Sequence, residues 1–301
     1  MLGTFQNLTS LSLSYYVNLA ISYAKAPEHT YPEALHDTLS TYFYLINVLK
    51  YSPLQIFLGG DSAGAGLCVS TCLYLSRNGH PLPKALILFS PWLDLTHSMP
   101  SYRENAEWDY IPADVVDPAW LPRTCSKTGL EHTKQYYAPD GLLQNPLVSP
   151  LFADLDELRS IFGTQVKVWI GIGEIERLRD EAMVFWLKCL GRDILTEWEE
   201  KRAKDKNGFS VDSAPSNTDQ QQALSTIILD IYADVPHVPP LFFKSDISRT
   251  SLQRVGDFIQ KVDDIHGSVC SKVFANSKHD VSLNEVAQQL LVGLDKYGRG
   301  I

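Results

Sequence analysis

The feature that most constrains this chain is an alternation of short, almost wholly apolar runs with longer stretches of helical periodicity. Val17 to Ser22, Leu54 to Leu58, Ala85 to Phe89, Val166 to Ile172 and Ser225 to Tyr232 read as strands. Several are apolar at consecutive positions, so both faces of the strand must be covered, as happens when helices pack on either side of a parallel sheet. The intervening stretches supply those helices. Thr30 and Glu33 have capping-box spacing, and Leu35, Leu39, Tyr42 and Phe43 then mark one face. A second helix runs from about Ala63 to Asn78 and stops at Gly79; a third runs from about Leu178 to Leu190, before Gly191. Leu252, Val255, Ile259 and Val262 line one side of a later helix, and Leu283 to Leu294 can form another. The order predicts an α/β fold whose sheet is mostly parallel.

Two regions break the rhythm. A stretch over about 95–150 is rich in Pro, Trp and Tyr and has the character of an inserted lid, while about 199–222 reads as a polar surface insertion. The expected organisation is one domain over 1–264 carrying both insertions, followed by a tail over 265–301. The 26 basic residues stand against 35 acidic ones, a formal charge of −9 that repels phosphate backbones, so nucleic acid is not an expected partner. No apolar run reaches the roughly 18–20 residues of a bilayer span. The first residues have neither the basic start nor the apolar core of a signal peptide. Five cysteines at irregular spacing make no disulfide framework and suit a reducing compartment. A cytoplasmic location is therefore expected.

Chemistry enters at Gly60-Asp61-Ser62-Ala63-Gly64, which fits G-x-S-x-G. The pattern alone is unspecific, but here a strand pattern precedes it and a helix pattern follows. That is the setting of a nucleophile elbow, a strained turn that presents a serine hydroxyl. The Ala63 amide, at the start of the helix, is placed to donate to an oxyanion. In this architecture the partners follow in the order serine, acid, histidine. The run ending at Ile172 leads into a loop with Glu174 and Glu176, while Asp180 belongs to the next helix. His237 follows the last strand. His36, His80, His97 and His132 precede the acid, and His266 and His279 have no strand leading into them. Gly171-Ile172-Gly173 lacks the third glycine of a dinucleotide loop, and no phosphate-binding G-x-x-x-x-G-K occurs. Cys68 and Cys72 share a helix face without His or Cys partners, so packing is the better reading. Neither a metal nor an organic cofactor is expected.

Longer stretches resemble one family. Tyr23-Ala24-Lys25-Ala26-Pro27-Glu28-His29, continuing through Thr30 to Leu35, is similar to the Y-R-L-A-P-E-H-P-F-P-A-A-L segment of the hormone-sensitive-lipase family of α/β hydrolases. Ala24-Lys25 and Thr30 depart from that pattern. Gly60 to Gly64 resembles the family's G-D-S-A-G elbow, Ser90 to Thr96 its S-P-W-L-D-L-T, and Asn145 to Leu151 its segment before the acid strand. The resemblance spans about Leu2 to Lys261. It implies an α/β-hydrolase fold and hydrolysis of small or lipid-like carboxylic esters by a Ser-His-acid triad. The family's D-P-L-R-D-E falls on the loop at Glu176, which implies Glu176 as the acid with Glu174 as its nearest rival. Asp234 to Val238 resembles the catalytic-histidine loop, which implies His237 as the base and leaves His29 a structural role.

One family element is missing from the sequence: the H-G-G-G loop whose amides supply most of the oxyanion hole. Met1 to Thr4 resembles residues shortly after that loop, so the expectation is a fold lacking its first strands and oxyanion loop, with ester hydrolysis impaired by that loss. Val17 to Ser22 would then lose its sheet neighbour. The competing reading is a catalytically inactive hydrolase-fold binding protein, or a truncated gene product.

Overall fold

The computed structural model describes residues 16–111, 137–205, 227–241, 245–264 and 283–297. Four strands form one parallel sheet: β1 (Phe57–Asp61), β2 (Ala85–Phe89), β3 (Lys167–Gly173) and β4 (Ile227–Tyr232), lying side by side in chain order. Phe57 stands opposite Ala85, Ala85 opposite Lys167 and Val168 opposite Ile227. All four carboxyl ends therefore emerge along one edge. In open α/β sheets that edge is where ligands bind.

The apolar runs behave as their composition requires. β2 is buried at every position, and β3 at every position after Lys167. Alternate residues go to opposite faces. Leu86, Leu88, Val168 and Ile170 join Leu73 of α2 (Ala63–Arg77), Leu158 of α4 (Leu155–Ile161) and Phe185 of α5 (Arg179–Cys189). Ala85, Ile87, Phe89 and Trp169 face Val255, Phe258 and Ile259 of α7 (Asp246–Asp264). Burying each such side chain contributes about 1.5–3 kcal/mol, which is why the two-sided runs are confined to the sheet. α1 (Glu33–Phe43) continues into a π-turn over Tyr44–Val48 and packs Leu35 and Leu39 against Leu67 and Leu75 of α2. α8 (Leu283–Tyr297), inside the tail, places Val286, Ala287, Leu290 and Leu294 in the main core beside α5 and α6 (Ile194–Asp205).

Some sequence expectations are corrected. Val17 to Ser22 pairs with no strand among the described residues and leaves Val17 87% and Leu19 58% exposed. Its alternating apolar pattern is that of a strand, but with no ladder to join among the described residues the segment has no regular structure. Leu54 falls in a short 3-10 turn, Pro53–Gln55, capped by Ser52, so the first sheet strand begins at Phe57. The Thr30–Glu33 capping box does not form, because Pro32 occupies the cap position and Glu33 turns back to His29 at 2.6 Å. The polar insertion begins as helix, since α6 runs to Asp205; residues 206–226 lie outside the described residues. In the lid-like region, α3 (Ser101–Glu104) is a single turn, and Leu95, Ala138, Leu143 and Val148 form a small apolar cluster. Among the described residues no helix is long and apolar enough to cross a membrane.

Candidate active site

Ser62 sits between β1 and α2 with φ 52° and ψ −121°. A positive φ is costly for a side-chain-bearing residue, of order 1–3 kcal/mol, and persists only where the surroundings enforce it. The enforcement is visible. The Ser62 amide donates to the Phe89 carbonyl at 2.9 Å, and its own carbonyl accepts from Ala65, Gly66 and Trp92. The turn is so tight that a Cβ on Gly60 would lie 2.5 Å from the Gly64 carbonyl carbon. Ala63 is the first residue of α2 and is exposed, so its amide belongs to the first-turn donors that a helix leaves without an internal partner.

β3 ends in the loop that carries Glu174 and Glu176. Glu176 is 0% exposed and His237, just beyond β4, is 4% exposed; their Oε2 and Nδ1 atoms stand 3.9 Å apart. Glu176 Oε2 accepts the Ser90 hydroxyl at 2.5 Å and the Gly173 amide at 3.0 Å. Glu176 Oε1 and His237 Nδ1 have no hydrogen-bond partner among the described residues. Burial pushes the Glu176 carboxyl up to about 8, against the opposing pull of its bonds to Ser90 and Gly173. Burial likewise pushes the His237 imidazole down to about 3. The histidine is thus held neutral, the form that can accept a proton. The 3.9 Å separation is one that a small closure would turn into a hydrogen bond, and such contacts are often long before substrate binds.

The other sequence candidates fall away on geometry. Glu174 is half-buried and accepts the Asp234 amide at 3.1 Å, bracing a turn. Asp180 is paired with Arg179 and accepts the Ser101 amide. His29 is an exposed partner of Glu33, and His36 is exposed. His80 packs edge-on to Phe43, and His97 is stacked between Trp92 and Tyr102. His132, His266 and His279 lie outside the described residues. Among the described residues no group of three His, Cys, Asp or Glu side chains is arranged to hold a metal ion.

Sequence reasoning passed over Ser90. It follows β2 at φ 44°, donates to Glu176, and accepts the Val238 amide at 2.9 Å. A signal existed: Ser90 stands directly after a strand, as Ser62 does, and in a parallel sheet those positions converge. Gly173 figures in the sequence only as part of an incomplete dinucleotide loop. A Cβ there would lie 2.0 Å from the Val235 carbonyl oxygen, so only glycine lets the histidine loop pass this close.

Residues 12–200 match the family described as the α/β hydrolase fold, well over half of the chain. The chain belongs to the α/β-hydrolase family. Within that family it is 34% identical over 174 residues to an esterase of Acinetobacter venetianus, covering 58% of this chain and 51% of the relative. It is 31% identical over 164 residues to an acetyl-hydrolase of Streptomyces hygroscopicus, covering 54% and 48%. The chain thus spans about half the length of these relatives. Among solved structures, an esterase from the bacterial hormone-sensitive lipase family superposes with a TM-score of 0.54 at 26% identity, over 80% of this chain and 64% of that one. The hydrolase fold recurs in an esterase/lipase from an uncultured bacterium, with a TM-score of 0.60 at 23% identity, over 86% and 69%.

Proposed function

We propose that this chain carries the nucleophile, base and acid of a carboxylic ester hydrolase, with Ser62, His237 and Glu176 in those roles. The observation that carries the reading is the coincidence of a strained Ser62 elbow with a buried Glu176–His237 pair at the same edge of the sheet. Relatives named as an esterase and an acetyl-hydrolase support the same chemistry.

In this reading the Ser62 oxygen attacks the acyl carbon while its proton passes to His237. The carbonyl oxygen becomes an oxyanion, and the Ala63 amide is one donor to it. Glu176 fixes the ring and, in its ionised form, which burial delays to about pH 8, stabilises the imidazolium. Collapse of the tetrahedral intermediate breaks the bond to the alcohol, which leaves with the proton from His237. Water then attacks the acyl-serine by the same route, releasing the acid and restoring the serine. The substrate class is a small or lipid-like ester, and no cofactor is required.

A fluorophosphonate tests this directly. The full chain should form one adduct, mapped by mass spectrometry to Ser62, and should hydrolyse a short p-nitrophenyl ester. An adduct on another serine, or none while a control esterase reacts, would remove Ser62 from the role.

A further inference from the structure

The base and the acid lie on separate loops, some sixty residues apart in sequence, and each is buried. Something must fix their spacing. Ser90 does so on one side, bonding the Glu176 carboxylate and the Val238 amide. A second side chain bridges the two loops one residue away on each. Asp109, buried in the loop that follows α3, accepts the Arg177 amide on Oδ2 at 2.6 Å and the His237 amide on Oδ1 at 3.3 Å. The neighbouring residues reinforce the contact. The Tyr110 hydroxyl donates to the His237 carbonyl at 2.7 Å, and its ring stands edge-on to the imidazole with centroids 5.8 Å apart. Asn105 donates to the Glu176 carbonyl at 2.8 Å. The lid-like segment, which the sequence offered only as a cover, therefore grips the backbone of both loops.

We propose that Asp109 is a positioning residue: by accepting the amides of His237 and Arg177 together, its carboxylate sets the spacing of base and acid. The inference rests on the ester-hydrolase reading above. Asp109 touches neither reacting atom; it acts through two backbone amides, one on the base itself and one next to the acid. A serine or alanine at 109 reaches neither amide with two oxygens, whereas the carboxylate offers an acceptor to each. Burial pushes the Asp109 carboxyl itself up, against the pull of its backbone hydrogen bonds; once ionised, its negative charge has a second effect, because it opposes ionisation of Glu176. The other charged or titratable groups felt by the pair are Arg179 and Glu181 from α5, with Tyr110 at His237 and Asp61 of β1 facing Tyr110.

The test compares the parent chain with Asp109→Ala and Asp109→Asn, using a short p-nitrophenyl ester from acid to alkaline pH. A misplacement of about 1 Å in a catalytic group costs about 100-fold. Asp109→Ala should therefore lower kcat about 100-fold with KM changed less than about threefold. Asp109→Asn, which keeps one oxygen acceptor, should fall between it and the parent. Removing the charge eases ionisation of Glu176, so the acid limb of kcat/KM in Asp109→Asn should move to lower pH, by about half a unit or more. A residue that only stabilised the fold would lower activity at every pH without moving that limb. Asn at parental kcat, or an unmoved limb, would overturn the positioning role even if Ala fails to fold. Fluorophosphonate labelling of the parent separates the two levels. Without a Ser62 adduct the hydrolase reading and this inference both fall; with the adduct and parental variants, this inference falls alone.

Discussion

In the proposed site, the nucleophile Ser62 and the acid–base pair Glu176–His237 occupy the same edge of the sheet but are built in opposite ways. Ser62 is held mainly by its own neighbourhood, a five-residue turn and a tight Gly60–Gly64 approach, with two backbone bonds, one to the Phe89 carbonyl and one from the Trp92 amide, at and just past the end of β2. Glu176 and His237 are held from afar, by Ser90 from β2 and by Asp109, Tyr110 and Asn105 from the lid-like segment. A locally enforced group keeps its geometry as long as the strand and helix exist. A group enforced by several loops depends on every one of them. The first half of the site should therefore be robust to distant change and the second half sensitive to it.

The comparison can be broken at four points. Replacing the nucleophile comes first: Ser62→Ala should abolish fluorophosphonate labelling and reduce turnover by about 10⁵-fold or more, with the melting temperature unchanged. Next is the acid. Glu176→Gln should reduce turnover by about 10³–10⁴-fold, because the imidazole loses its charged partner, whereas Glu174→Gln should stay within about threefold. If steady-state kinetics gave the reverse order, the acid would be the residue bracing Asp234.

The glycines probe the two halves structurally. Gly60→Ala drives a Cβ into Gly64, and Gly173→Ala drives one into the Val235 carbonyl; each should cost about 1–3 kcal/mol in denaturant unfolding. The comparison is sharpened by where activity goes in the folded fraction. Gly60→Ala should lose fluorophosphonate reactivity along with stability. Gly173→Ala should perturb the base, shown by a changed pH profile. Equal profiles in the two variants would mean the halves are not separately built.

The smallest effect is a pH dependence of stability. An unfolded chain loses the Glu176 proton near the ordinary 4.5, and the folded protein retains it up to about 8. Between those values the unfolded state binds fewer protons, so this group's contribution is full below pH 4.5 and is lost as pH rises through the window. Glu176→Gln removes the titration. Its melting temperature relative to the parent should climb between pH 4.5 and 8 and then level off. A difference that is flat across the window would place the proton elsewhere.

Much of this arrangement was legible in the residues. Ala85 to Phe89 is apolar at every position, and the run is a strand at those limits because only a doubly covered strand buries all five. Ala63 to Asn78 needed only its glycine stop. Val17 to Ser22 shows the opposite case: its apolar residues alternate as in a strand, but among the described residues it pairs with none, and a strand exists only by pairing. Gly173 looked like a fragment of a dinucleotide loop, yet its role is to admit the Val235 carbonyl. Asp109 carried no signal at all, being one acidic residue in a long irregular stretch.

The sequence by itself determined the parallel α/β layering and the strand–turn–helix setting of Ser62, and it suggested the order in which the proposed acid and base follow. These rest on local pattern: periodicity, burial demand and turn chemistry act within a few residues. Only the tertiary structure separates Glu174 from Glu176, burying one 3.9 Å from His237 and turning the other to the Asp234 amide, and that contrast is what supports Glu176 as the proposed acid. It alone also recruited Ser90 and Asp109, because hydrogen bonds between loops depend on where the carboxyl ends of separate strands converge in space, and no spacing along the chain encodes that distance.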